Sequence, residues 1–139
     1  MKNKKTIVIS ISSDISLFLI NNVLKKHRII GTYRTLNKRL KQIKKIPRIN
    51  LLKLDISKKK NIQNFIHKNK KLLTNWDNCI VSVGAQKPIG RFEKLDSIEI
   101  STSIDINFKN QIILLNLLLS LRKKRGIKNV ITWAGPGTN

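Results

Sequence analysis

Five polar segments in this 139-residue sequence each follow a short apolar run, and their side chains suit a phosphorylated ligand. The first, residues 10–16, contains serine hydroxyls that can donate to phosphate oxygens, and it leads into a helical pattern whose N-terminus attracts anions. The second contains Arg34, and a guanidinium makes paired hydrogen bonds to phosphate. The segments are residues 10–16, 32–35, 55–57, 84–88 and the residues from Ala134 onward.

The apolar residues between these segments are spaced alternately as in β-strands and as in α-helices. This spacing indicates which elements must position the five polar segments. Short β-branched runs predict five strands, at residues 6–11, 29–33, 49–54, 79–83 and 129–133. Helical spacing predicts four helices, at about 14–26, 36–46, 57–73 and 97–124. Pro47 ends the second helix, and Ser57 is interpreted as the N-cap of the third.

Strands that are apolar on both faces and alternate with helices predict an α/β fold with a parallel sheet. Because right-handed crossovers place helices on both faces, we expect a three-layer, Rossmann-like doubly wound sheet with strand order 3-2-1-4-5. The length suits a single domain over residues 1–139. In such sheets a ligand binds beyond the carboxyl ends of the strands, where the five polar segments would meet.

The sequence is strongly basic, with 29 Lys and Arg against 7 Asp and Glu and a net charge of +22. Such a charge suggests a polyanionic partner. Ile, Lys and Asn together make up 60 of the 139 residues and share A- and T-rich codons, so nucleotide bias accounts for much of the charge. Nucleic-acid binding remains the alternative function, through basic patches at residues 58–60, 68–71 and 122–125. Aromatic residues, at 5%, are not interleaved with these patches as a stacking platform requires.

Other classes of protein do not fit the sequence. Cys79 is the single cysteine, which excludes an intrachain disulfide and fits a reducing cytoplasm. His27 and His67 lack acidic or thiol neighbours at ligand spacing, so we expect no metal site. The apolar run after the N-terminal lysines is interrupted at residues 12–14, which favours a buried strand over a signal peptide. The apolar stretch at 112–121 is too short to span a bilayer, so we expect no membrane partner.

Taken in order, these segments resemble the short-chain dehydrogenase/reductase family over nearly the whole sequence. Residues 7–16 stand at the family's first strand and Thr-Gly-x-x-x-Gly-x-Gly turn, and residues 54–57 are similar to the segment whose acidic residue contacts adenine. Residues 81–84 stand at the family's Asn-Asn-Ala-Gly, and residues 103–107 resemble the helical segment that ends in its active-site Asn. Residues 130–135 match the strand that precedes or carries the catalytic Ser.

The resemblance implies a nicotinamide dinucleotide cofactor and a carbonyl or alcohol substrate. It implies a catalytic role for Asn107, which would fix its helix and hold a water in a proton relay. Arg34 follows the second strand without an acidic neighbour, which favours NADP over NAD. The residues to which the resemblance assigns cofactor contacts are Ser10, Ser12, Ser13, Asp14, Ile15, Arg34, Asp55, Ile56, Ser82, Val83 and Gly84.

The phosphate-binding turn departs from the family pattern at each of its three glycine places, which fall on Ser10, Asp14 and Ser16. Side chains at positions 10 and 16 are expected to obstruct backbone approach to a pyrophosphate and close helix packing. Asp14 would bring a negative charge towards a diphosphate, or else cap the following helix.

The catalytic residues depart further from the family pattern. Ala134 stands at the place of the catalytic Ser, and Thr132 is two residues earlier. The Tyr-x-x-x-Lys pair is absent, and Tyr33, the one tyrosine, lies too early in the chain to replace it. We therefore expect the cofactor-binding half of an NADP-dependent oxidoreductase, truncated before that pair and inactive by itself. The sequence leaves self-association into a homo-oligomer open.

Overall fold

The computed structural model describes residues 3–126 and 128–132, which form one parallel sheet with helices between its strands. The strand order is β3-β2-β1-β4-β5, and all four pairings are parallel, so the predicted fold class and order are confirmed. The strands are β1 (Lys5–Ile9), β2 (Arg28–Tyr33), β3 (Ile49–Lys53), β4 (Asn78–Val81) and β5 (Asn129–Thr132).

The helices pack on both faces of this sheet. They are α1 (Asp14–Asn22), α2 (Lys38–Ile43), α3 (Lys59–Leu73), α4 (Ser97–Ile104) and α5 (Asn110–Ser120), with a 3₁₀ turn at Phe92–Lys94 and a π turn at Asp105–Lys109. Successive side chains of β1 point to opposite faces, so Ile7 joins a core with Phe65 of α3 and Leu114 of α5. Val8 joins a second core with Ile20 of α1. The prediction of strands that are apolar on both faces is therefore confirmed for β1.

The predicted helix over residues 97–124 is wrong as a continuous helix. It is divided into α4, the π turn and α5, and it ends at Ser120. A π turn holds one extra residue and so rotates the following helix by about 100°. The rotation lets α5 bury Leu114 and Leu118 against the sheet while Asn107, within the π turn, faces the loop after β4. The basic residues 122–125, which are exposed, are not part of α5.

The predicted N-cap at Ser57 is also wrong. Helix α3 has Lys58 at its N-cap without a side-chain hydrogen bond, and the N–H of Ser57 donates to Asp55 Oδ1 at 2.9 Å. An aspartate that accepts from the N–H two residues ahead forms a local turn, so the chain turns at residues 55–57 and the helix begins only after Lys58. The first helix ends at Asn22 rather than near residue 26, and its N-cap is Ser13 rather than Asp14.

Strand β5 pairs with β4 and is exposed along its whole length. Val130 and Ile131 are 41% and 40% exposed, although both are β-branched and apolar. The other end of the predicted fifth strand, Trp133, and the segment from Ala134 onward lie outside the described residues.

None of the helices described in residues 3–126 and 128–132 has the length and apolar character needed to cross a membrane.

Candidate functional site

A cleft of about 670 Å³ lies at the carboxyl ends of the strands, in the size range of small-molecule sites. It is bordered by the loops that follow β1, β2, β3 and β4. Of the eleven residues expected to contact a cofactor, nine line this cleft. They are Ser10, Ser12, Ser13, Arg34, Asp55, Ile56, Ser82, Val83 and Gly84.

The loop after β1 is held in place by contacts with the neighbouring strand β2. The backbone N–H of Ser10 donates to Thr32 Oγ1 at 3.0 Å, and that of Ile11 donates to the Thr32 carbonyl at 2.8 Å. The Ile11 side chain is fully buried and lies on Gly31 of β2. A Cβ at position 31 would stand 2.2 Å from Ile11 Cδ1, so glycine is required there by this close approach.

Ser10 adopts a left-handed backbone conformation, with φ of +63°. Residues other than glycine and asparagine disfavour this region, because their Cβ approaches a carbonyl oxygen. The first of the three glycine places therefore keeps the backbone geometry that glycine would serve, although a serine occupies it.

We expect Ser10→Gly to raise the free energy of unfolding by about 1 kcal/mol, because the substitution relieves the left-handed strain at a compatible position. Urea denaturation of both proteins measures the change. Asn75→Gly is the matched control, since Asn75 has φ of +61° outside the cleft and asparagine tolerates that region. The control should gain less than about 0.5 kcal/mol. A gain for Asn75→Gly as large as that for Ser10→Gly would contradict the strain assigned to Ser10.

Asp14 does not line the cleft, and neither does Ile15. The Asp14 carboxylate instead accepts from Arg39 Nη1 at 2.9 Å in an exposed ion pair. Its charge is thus partly compensated by a cation of α2. Ser13 caps α1, because its Oγ accepts from the N–H of Ser16 at 3.2 Å, and its own hydroxyl donates to Ser16 Oγ at 2.9 Å. Ser16, at the third glycine place, is fully buried within the first turn of α1.

Three amide side chains, within the π turn and at the start of α5, fix two walls of the cleft. Asn107 pairs with both backbone groups of Ala85: its Oδ1 accepts at 2.6 Å and its Nδ2 donates at 2.8 Å. Asn110 Nδ2 donates to the Ile56 carbonyl at 2.7 Å within the core. Gln111 Nε2 donates to the Val83 carbonyl at 3.1 Å. These side chains therefore tie the loops after β3 and β4 to one helical segment.

Asn107→Ala is expected to release the loop at residues 82–96, because Ala85 loses both of its hydrogen bonds to the π turn. We expect the loop to be cleaved several-fold faster by a protease of broad specificity, while stability falls by only about 1 kcal/mol. Asn116→Ala is the control, since Asn116 is an exposed amide of α5. An unchanged rate of cleavage within residues 82–96 would contradict the role assigned to the Asn107 amide.

Cys79 lies in β4 beneath the cleft and is fully buried. Burial disfavours the charged thiolate and raises the pKa of this thiol to about 12. Cys79 is therefore an inert core residue and not a nucleophile.

No family model matches the sequence, and no curated protein is similar to it. Solved structures do match. A short-chain dehydrogenase/reductase of Saccharomyces cerevisiae shares 21% identity at a TM-score of 0.79, over 94% of this chain and 53% of that one. A short-chain dehydrogenase/reductase of Serratia marcescens shares 14% at 0.78, over 93% of this chain and 54% of that one. A short-chain dehydrogenase family protein of Francisella tularensis shares 17% at 0.73, over 94% and 50%.

The chain has the short-chain dehydrogenase/reductase fold. The resemblance found in the sequence is thereby confirmed for the fold, and the chain spans about half the length of these solved structures. Within the short-chain dehydrogenase fold, the residues at the places of the family motifs come together at one end of the sheet. Their contacts with a cofactor, and the catalytic role of Asn107, remain predictions.

Two residues outside the predicted polar segments, Asn110 and Gln111, hold two loops at this end of the short-chain dehydrogenase fold. Gln86 and Lys87, within the predicted segment 84–88, line the cleft together with Arg34. The two amides could have been found as polar residues that interrupt an apolar helical run. Nothing in the local sequence distinguishes Gln86 and Lys87 from other loop residues.

Proposed function

We propose that this chain binds NADP(H) in the cleft at the carboxyl ends of its strands. The observation that carries the proposal is the convergence of four loops around one cleft, with the Arg34 guanidinium on its lining and no acidic residue in the loop after β2. An acidic residue there would favour the free ribose hydroxyls of NAD, whereas a guanidinium favours a 2′-phosphate.

The donor set of the cleft fits a phosphorylated dinucleotide. The Ser12 hydroxyl stands at the N-terminal end of α1, where a diphosphate would be favoured by the helix dipole, whereas the Ser13 hydroxyl is engaged with Ser16 as the cap of that helix. Asp55 and Ile56 would contact the adenine, as the resemblance implies, and residues 82–84 would contact the other nucleoside. Asp14 does not oppose this arrangement, because its carboxylate is exposed to solvent and lies outside the cleft lining.

The wider proposal is that the chain corresponds to the cofactor-binding half of an oxidoreductase that acts on a carbonyl or alcohol. A bound reduced nicotinamide would supply a hydride to the carbonyl carbon, and an acid must supply the proton to its oxygen to give the alcohol. In this chain, Asn107 would position the loop after β4 beside the substrate through its pairing with Ala85. The described residues contain no tyrosine near that loop, and Tyr33 lies across the cleft on β2.

Fluorescence titration with NADPH, NADH and adenosine 2′,5′-bisphosphate tests the proposal. We expect NADPH to bind at least about tenfold more tightly than NADH, a difference of about 1.4 kcal/mol. Adenosine 2′,5′-bisphosphate should displace NADPH competitively, because it carries the 2′-phosphate that Arg34 would bind. If neither dinucleotide binds, the cleft has kept only the architecture of a nucleotide site. Equal affinities would contradict the preference for NADP.

We expect no dehydrogenase turnover from the 139-residue chain, because it contains no Tyr-x-x-x-Lys pair to donate the proton. NADPH oxidation and NADP reduction with a panel of aldehydes, ketones and alcohols should not exceed a boiled control. Turnover that survives purification and is lost in Asn107→Ala would contradict this expectation. It would mean that another acid of this chain protonates the product.

A further inference from the structure

The charges of this protein are divided unequally between the two ends of the sheet. Because the strands are parallel, the chain enters all five at one end, here called the amino edge: residues 3–4, 23–27, 44–48, 74–77, 121–126 and 128. This edge contains one acidic residue, Asp77. It contains eleven basic residues, which are Lys4, Lys25, Lys26, Lys44, Lys45, Arg48, Arg122, Lys123, Lys124, Arg125 and Lys128.

The opposite end of the sheet is much closer to neutral. The loops that border the cleft, residues 10–13, 34–37, 54–58 and 82–96, contain three acidic residues: Asp55, Glu93 and Asp96. They contain five basic residues, which are Arg34, Lys58, Lys87, Arg91 and Lys94. A codon bias towards lysine acts on every exposed position alike, so it accounts for the high total charge but not for this separation.

The amino edge also has a concave centre. A hollow of about 850 Å³ lies there, bordered mainly by cationic side chains and by the Asp77 carboxylate. Asp77 Oδ2 accepts from the backbone N–H of Lys5 at 3.0 Å, and its Oδ1 lies 3.6 Å from Lys123 Nζ. The single carboxylate is thus engaged by its own neighbours. The basic side chains around it keep a large excess of positive charge.

Three titratable groups at or beside this edge have pKa values that are lowered by burial, by hydrogen bonding and, in part, by that excess of positive charge. Burial, and then the charge of Arg28, lowers the pKa of Lys5. Burial, followed by the charges of Lys4 and Arg48, lowers the pKa of His27. Burial opposes the ionisation of Asp77, but the hydrogen bond from Lys5 and the charge of Lys123 outweigh it and lower its pKa. The shifts agree with a positive potential that an external anion would relieve.

The shape and side chains of the edge favour a duplex. Five strands spaced by about 4.8 Å give a row about 19 Å wide, which spans about five or six base-pair steps along the axis of a duplex, where both strands present phosphates. Single strands are bound chiefly by stacking on exposed aromatic rings. Among the described residues of the amino edge, the one Phe, Tyr or Trp side chain is Trp76, and it is fully buried.

We propose that the amino edge binds the phosphate backbone of a nucleic-acid duplex without reading its sequence. Contact would be made by the exposed lysines and arginines of the connections into β2, β3 and β5. DNA and RNA duplexes present the same phosphate chemistry to such a surface. This surface lies at the other end of the strands from the proposed NADP(H) cleft, so the two can be tested separately.

The experiment measures the binding of labelled DNA and RNA duplexes of about 24 base pairs by anisotropy, over about 50 to 200 mM salt. The edge variant is Lys25→Gln/Lys26→Gln/Lys44→Gln/Lys45→Gln, and the control is Lys58→Gln/Lys59→Gln/Lys60→Gln/Lys94→Gln. All eight lysines are exposed, and both variants lose the same charge. We expect the edge variant to bind at least about tenfold more weakly, with a salt slope shallower by up to about 3.6, since each of four lost phosphate contacts removes about 0.9.

The control variant should change duplex affinity less than about threefold and keep the salt slope. Equal losses in the two variants would overturn the proposal, because binding would then follow net charge alone. Tighter binding of the wild type to a single strand of equal length, or to phosphatidylglycerol vesicles, would overturn it in favour of another partner. Retained NADPH affinity in the edge variant, alongside lost duplex affinity, is the expected pattern and separates this surface from the cleft.

Discussion

Gly31→Ala is expected to lower the free energy of unfolding by about 3 kcal/mol, at the upper end of the usual cost of overpacking a core. The new Cβ would stand 2.2 Å from Ile11 Cδ1 and 3.0 Å from Ile11 Cβ. Ile11 is fully buried and its N–H is bonded to Thr32, so it cannot move aside without exposing apolar surface and losing that hydrogen bond. We therefore also expect NADPH binding to fall, because the displaced loop borders the cleft.

Two further variants make this prediction specific. Gly84→Ala is the matched control, because a Cβ there would meet nothing closer than Asn107 Oδ1 at 3.9 Å. It should change stability by less than about 0.5 kcal/mol. In Gly31→Ala/Ile11→Ala the truncated side chain makes room for the new methyl group. Urea denaturation should then show that the double variant loses less free energy of unfolding than the sum of the losses in the two single variants. The difference should be about 1 to 3 kcal/mol. Additive losses would contradict the assigned contact.

Arg34→Ala is expected to weaken NADPH binding about 30-fold, or about 2 kcal/mol, while NADH binding changes less than about threefold. The difference arises because the guanidinium would bond the 2′-phosphate that NADH lacks. Arg34 is exposed, so water competes with the 2′-phosphate for its guanidinium. The expected loss of binding free energy therefore lies in the lower part of the range for charged hydrogen bonds. Parallel fluorescence titrations of the two dinucleotides measure the ratio.

Arg39→Ala is the matched control for Arg34. Arg39 lies five residues later, is exposed, pairs with Asp14 and is outside the cleft lining. Its removal should leave NADPH affinity within about twofold. An equal loss of NADPH and NADH in Arg34→Ala would show a general attraction for anions rather than recognition of the 2′-phosphate.

The parallel sheet could be predicted because its signal is repeated along the chain. Each strand is a short β-branched run, and burial of β1 on both faces, by Ile7 and Val8, follows from helices on either side. Parallel strands in this order necessarily bring the loop at Ser10 beside the loops at Arg34 and Ser82. The location of the cleft therefore followed from topology alone.

Details that depend on one or two residues could not be predicted in the same way. The π turn leaves no mark in the apolar spacing, because apolar residues recur every four positions through it, at Ile104, Phe108 and Ile112. Ser57 belongs to the turn that Asp55 forms and not to the expected helix cap. Aspartate and serine commonly occur in both arrangements, so the local sequence does not distinguish them. The pairing of Asn107 with Ala85 joins groups 22 residues apart, so it depends on how the helix is rotated over the sheet.

The contact between Ile11 and Gly31 has a consequence for how the protein opens. Ile11 belongs to the same buried cluster as Val8, Ile20 and Ile80, so the loop after β1 shares the cooperative unit of the central sheet. The amide hydrogens of Ser10 and Ile11, which are bonded to Thr32, should exchange with solvent only when the whole molecule unfolds. The loop after β4 depends instead on polar contacts such as that of Asn107, which can break in a local fluctuation. The wall of the cleft formed by the loop after β1 therefore opens only with the core, whereas the wall formed by the loop after β4 can open while the core stays folded.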